Sequence, residues 1–86
     1  MSLESVSDAL NLPKDVVLGA TVLHVIGQYE IYIENYKNII DFNDSQIKVK
    51  TRNSTLIIIG KNLHIEYFNH EDMKIKGRIQ DIHFQM

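Results

Sequence analysis

Four histidines, five serines, a scatter of carboxylates and two basic runs are the groups with which this 86-residue chain could do chemistry. Ser2, Ser5 and Ser7 lie near the N-terminus, and Ser45 and Ser54 lie in predicted turns. None occupies the Gly-x-Ser-x-Gly elbow that lifts a nucleophile out of a strand-to-helix turn. Turn serines spend their hydroxyls on the local backbone. His24, His64 and His83 fall on predicted strands and His70 in a turn, with no His-x-His pair and no metal-ligand spacing. They read as solvated or hydrogen-bonded surface groups, and neither a metal nor another cofactor is expected. Glu30 and Glu34 share a strand face with Tyr32 between them, and Glu66 follows His64. General acid–base work needs two carboxylates converging in a cleft with their pKa values driven apart. Nothing in this spacing demands that, so the expectation is a protein that binds and does not catalyse.

The basic residues do cluster. Lys48, Lys50 and Arg52 share one face of a strand, and Lys74, Lys76 and Arg78 repeat the pattern. Brought together, the two runs would form a stripe for an anionic partner such as a polysaccharide, phosphate or nucleic acid. Interleaved with the strands carrying Glu30, Glu34, His64 and Glu66, they would be absorbed in cross-strand ion pairs. The net charge of −2, nine Lys plus Arg against eleven Asp plus Glu, favours the second arrangement. Nonspecific nucleic-acid binding needs a positive surplus, and no aromatic stacking platform is interleaved with the stripe.

The elements that would position these groups are strands. A hydrophobic fraction of 44% and a charged fraction of 23% are ordinary for a single globular domain. There is no cysteine, hence no disulfide, thiolate zinc site or thiol nucleophile. The longest aliphatic run, Leu56-Ile57-Ile58-Ile59, is far short of a membrane-spanning helix, and no secretory signal is visible. Residues 1–18 read as a lead-in. Leu3, Val6 and Leu10 predict a short amphipathic helix over about Leu3 to Asn11, ended by Pro13. Residues 19–86 read as a β domain. Glu30–Glu34, Gln46–Lys50, Leu63–Tyr67 and Asp72–Lys76 alternate polar and apolar residues, the pattern of strands with one wet face. Asparagine-rich turns separate the runs, at residues 35–38, 43–45, 53–54 and 69–72. The expected fold is a small antiparallel β-sandwich of about 7–9 short strands. Gly27, Asp44, Gly60 and Gly77 fall 17, 16 and 17 residues apart, each followed by another alternating strand, which leaves a short β-solenoid as the alternative.

A core this small is marginal by itself, so pairing with a second copy or with a partner is expected. Thr55–Ile59 is apolar on both faces and reads as either a central strand or an interface.

Several stretches resemble the YabP/YqfC family of bacterial sporulation proteins, the YqfC branch in particular. They are Leu12-Pro13-Lys14-Asp15-Val16, Ile31-Tyr32-Ile33-Glu34-Asn35 with Tyr36-Lys37, Phe42-Asn43-Asp44 with Ile47, Val49 and Thr51, Gly60-Lys61-Asn62-Leu63-His64-Ile65, and Gly77 with Ile79, Ile82 and Phe84. Tyr36 stands where the family often has His, and Gly19-Ala20-Thr21 where it often has Pro. The resemblance implies a β-sandwich made during endospore formation, without established enzymatic activity. It implies a cytoplasmic protein, in the mother cell, with a membrane-anchored sporulation protein as partner. The polar positions inside the matching motifs, Glu34, Asn35, Asn62 and His64, are the candidate contact residues. Asn35 and Asn62 also read as turn formers.

Overall fold

The computed structural model describes residues 19–86. Six strands form one antiparallel sheet: β1 (Val22–Ile26), β2 (Glu30–Glu34), β3 (Asn38–Phe42), β4 (Gln46–Lys50), β5 (Thr55–Phe68) and β6 (Asp72–Gln85). Their order across the sheet is β1-β2-β6-β5-β4-β3.

The two 14-residue strands organise everything else. The first arm of β6 pairs with β2 and with the second arm of β5. The first arm of β5 pairs with β4 and with the second arm of β6. The sheet therefore has two halves, each closed by one hairpin, β1–β2 or β3–β4. Between the arms the pairing of β5 with β6 shifts register at Ile59/Gly60 and again at Lys61/His64. The hairpin turns fasten to these irregular segments. Gly60 and Leu63 N–H groups donate to the carbonyls of Ser45 and Asp44, at 3.1 and 2.8 Å. On the other side, Gly77 and Ile79 N–H groups donate to the carbonyls of Tyr29 and Gln28, at 3.2 and 2.7 Å. The four anchors of the internal repeat thus occupy matching places, two in hairpin turns and two where the long strands change arm.

Glycine is required at both changes of arm. A Cβ on Gly60 would lie 2.1 Å from the carbonyl oxygen of Arg78. Gly77 has φ of 140°, and its Cβ would lie 2.7 Å from the carbonyl oxygen of Asn62. Only a residue without a side chain lets the backbones approach so closely.

Alternation places one apolar row after another on the same face. In one half the register gives Leu23–Ile33–Met73–Phe68 and Val25–Ile31–Ile75–Ile65. In the other it gives Ile39–Val49–Leu56–Phe84 and Phe42–Ile47–Ile58–Ile82. Buried members of both halves, with Tyr36 and Leu63, form one cluster. Among the described residues there is no helix element, and the apolar rows of the two halves meet in that one cluster. Thr55–Ile59 is a central stretch between β4 and the second arm of β6, with Leu56, Ile57 and Ile58 all buried.

Side chains build the turns. Asn43 Oδ1 accepts the N–H groups of Ser45 and Gln46, and Asn69 Oδ1 accepts those of Glu71 and Asp72, all at 2.8 Å. Thr51 and Ser54 close the β4–β5 turn through each other, 2.8 Å between hydroxyls. These are Asx- and ST-type turns that fix the chain reversal locally.

The all-β expectation holds at the level of class, and its detail needs two corrections. In place of a sandwich of seven to nine separate strands there are six among the described residues, in one sheet. The reason is that the chain passes through Gly60 and Gly77 without leaving the sheet, so two apparent turns are irregularities inside long strands. The solenoid alternative fails because every pairing is antiparallel. The N-terminal helix expected over Leu3 to Asn11 lies outside the described residues.

Candidate interaction surface

The wet face of the first half is a grid of polar and aromatic side chains from β2, β6 and β5. Glu30 stands beside Lys76, Tyr32 beside Lys74, and Glu34 beside Asp72. Lys74 Nζ lies 3.8 Å from Glu30 and 3.5 Å from Glu66. Lys76 Nζ lies 3.6 Å from Glu30 and 3.0 Å from Glu66. The Lys74 ammonium also sits 5.0 Å from the centre of the Tyr32 ring, within cation–π range. The hydrogen bond from Lys76, aided by Lys74, holds the Glu66 carboxyl below the usual carboxylate range. A hydrogen bond to Tyr32, with the charge of Glu66, pushes Lys74 above the ordinary lysine range, and the bond to Glu66 does the same for Lys76.

These four charges balance one another, so Lys74 and Lys76 are held in cross-strand pairs. Lys48, Lys50 and Arg52 belong to the other half, where Lys48 stands between Asp41 and Ile57 in register. The Arg52 side chain lies over Gly19, and Arg78 is exposed beside Lys61. Lys48 and Lys50 therefore lie in one half of the sheet and Lys74 and Lys76 in the other, with Arg78 at the change of arm between them.

The candidate contact residues are also dispersed. Glu34 ends β2 and holds His24 of β1 at 3.4 Å. His64 is exposed on β5, opposite Lys76, with Nδ1 3.5 Å from the carbonyl of Asn62. Asn35 and Asn62 have φ of 63° and 55°, the left-handed region that Asn tolerates better than other side chains. Asn35 Nδ2 donates to the carbonyl of Ala20, and the Asn35 carbonyl accepts the hydroxyl of Thr21. Both asparagines thus have backbone duties. Tyr36, which alternation cannot flag because it lies between strands, is buried and donates its hydroxyl to the carbonyl of Asn69. Burial, and next the negative charge of Asp72, raise the pKa of that phenol.

The histidines do not converge. His24 pairs with Glu34, His70 with Glu71, and His83 with Asp81. Among the described residues no group of three or more His, Cys, Asp or Glu side chains could hold a metal ion. No helix among them is long and apolar enough to cross a membrane.

What the surface does offer is apolar edges. β1 and β3 end the sheet. Val22, Val25 and Ile26 on β1 are 37%, 48% and 53% exposed. On β3, Ile40 and Phe42 are 50% and 60% exposed, and they line a cleft of about 390 Å³ with Ile39, Asp41 and Phe68. A strand edge presents unpaired N–H and C=O groups, and apolar side chains beside them make it adhesive. Periodicity shows which face of a strand is dry; it does not show which strand lacks a neighbour, so these residues were not legible as a surface.

The YabP family matches residues 19–86, the whole of the described region. The chain is 28% identical over 76 residues to the Bacillus subtilis (strain 168) protein titled "Uncharacterized protein YqfC", covering 88% of this chain and 82% of that one. No solved structure matches. With the family spanning the entire sheet and a YqfC relative aligned over most of both chains, this protein belongs to the YabP/YqfC family.

Proposed function

We propose that this chain is a non-enzymatic assembly or adaptor protein of endospore formation, acting through protein–protein contacts at its sheet edges. The observation that carries the reading is the pair of apolar edges, β1 and β3, left uncovered among the described residues. Added strands recognise such edges through the main chain and select partners through alternate side chains. The place in sporulation follows from membership of the family. A cytoplasmic site in the mother cell and a membrane-anchored sporulation partner are parts of the same proposal.

The test is genetic and structural together. Ile26→Lys and Ile40→Lys each place a charge at an exposed edge position where little stability should be lost. In a spore-forming host, edge variants that keep the parent melting temperature but lower spore yield support the reading. Unchanged spore yield from both variants, alone and combined, overturns it.

A further inference from the structure

Four strand edges are exposed among the described residues, because each half of the sheet has two: β1 and the second arm of β5 in one, β3 and the second arm of β6 in the other. Natural sheets guard such edges with bulges and charges. Three of the four are guarded here. In β3 the register jumps from Ile39 to Asp41, leaving Ile40 unmatched beside a charge. The second arm of β5 carries a bulge between Ile65 and Tyr67 and the charge of Glu66. The second arm of β6 skips a residue between Ile79 and Asp81 and carries the Asp81–His83 pair at 2.6 Å. β1 has neither a bulge nor a residue of fixed charge, and its one polar side chain, His24, pairs with Glu34 of β2. It pairs with β2 in unbroken register from Val22 to Ile26, and it contains no Lys, Asp, Glu, Pro or Gly.

The sequence of β1, Val22-Leu23-His24-Val25-Ile26, is also self-complementary about its centre. Antiparallel pairing of two copies across a two-fold axis at His24 sets Val22 against Ile26 and Leu23 against Val25, twice over. Every side chain other than His24 meets an apolar one, on both faces. His24 meets its own copy, with Glu34 of each chain 3.4 Å behind it. No like pair of fixed charges is brought face to face, and an isologous contact of this kind closes at two chains without propagating.

We propose that the β1 edge binds β1 of a second copy of this chain in that antiparallel register, joining two half-sheets into one continuous sheet. This rests on the assembly reading above and adds the site and its occupant.

The experiment is molar mass by light scattering over a wide range of concentration, on the full chain. The parent should pass from one chain to two as concentration rises. His24→Lys leaves a basic side chain beside Glu34 in each monomer and sets two ammonium groups together on the axis. It should raise the dimer dissociation constant at least about tenfold. Ile26→Lys, at an exposed position, should do likewise, while Ile40→Lys on β3 should change nothing. A single-chain mass at every concentration overturns the proposal, as does a dimer indifferent to both β1 variants. Either failure is separable from failure of the assembly reading: a monomer whose β1 variants still lower spore yield has an edge that serves a different partner.

Discussion

Replacing Gly60 by Ala tests whether the sheet depends on the close approach of its two long strands. The new Cβ would stand 2.1 Å from the Arg78 carbonyl oxygen and 3.0 Å from both the Arg78 carbonyl carbon and Leu63 Cδ2. The first of these is a backbone atom inside a ladder, so it cannot swing aside. Reaching an ordinary contact requires the strands to part by about 1 Å, an overpacking that costs roughly 1–3 kcal/mol. The displacement also strains the hydrogen bonds from Gly60 and Leu63 to Ser45 and Asp44, each contributing about 1 kcal/mol. The sum is roughly 3–5 kcal/mol, a large part of the stability of so small a domain. At about 4–8 °C per kcal/mol, the melting temperature followed by far-ultraviolet circular dichroism should fall by at least about 12 °C, or the variant should not fold. Gly77→Ala meets Asn62 and Leu63 backbone atoms at 2.7 and 2.8 Å and adds left-handed strain, so it should cost at least as much. A Gly60→Ala protein melting within about 4 °C of the parent would refute the idea that the sheet depends on this close approach.

Truncating Ile58, fully buried between Ile47 and Ile82, to Ala should cost about 2–5 kcal/mol in denaturant unfolding; a loss under about 1 kcal/mol would mean that the core can collapse around the cavity. Tyr36→Phe removes the hydroxyl donated to Asn69 and should cost about 1 kcal/mol by the same measurement. Asn62→Gly should leave stability nearly unchanged, whereas Asn62→Ala should lose about 1 kcal/mol to its positive φ; equal losses would point to a side-chain role. The lowered pKa of Glu66 means that its pairing stabilises the fold above the unfolded carboxylate pKa and ceases to do so as pH falls through the folded value. Glu66→Gln should therefore flatten the acid limb of a melting-temperature series, and an unaltered limb would count against that pairing.

Much of this fold was legible because side-chain period is a local property. The alternation of Glu30–Glu34 and Gln46–Lys50 coincides with β2 and β4 residue for residue. The asparagines at positions 43 and 69 announced turns because their side chains bond the next backbone groups, a short-range act. What stayed hidden was non-local. Gly60 and Gly77 look like breaks in a sequence, since a glycine that ends a strand and one that lets two strands touch are the same letter. That β2 lies beside β6, with Glu34 paired to Asp72 38 residues onward and Glu30 to Lys76 46 residues onward, is set by the shared core and not by any nearby signal. The candidate surface suffered most. Spacing put Lys74 and Lys76 on one face correctly, but only the pairing order reveals Glu30 and Glu66 on the flanking strands. The edge residues of β1 carry an ordinary strand pattern, and their significance lies in the neighbour they lack.

The long β5–β6 hairpin contributes inner strands to both halves of the sheet. Neither half owns a complete set of strands, so neither is a separable folding unit. β1–β2 docks onto the hairpin through β6 and β3–β4 through β5. Losing one of them exposes apolar rows on the same strands that the other requires. Native-state amide exchange should therefore report one opening for the buried amides of β5 and β6 along their whole length, with no weaker half to let solvent in first.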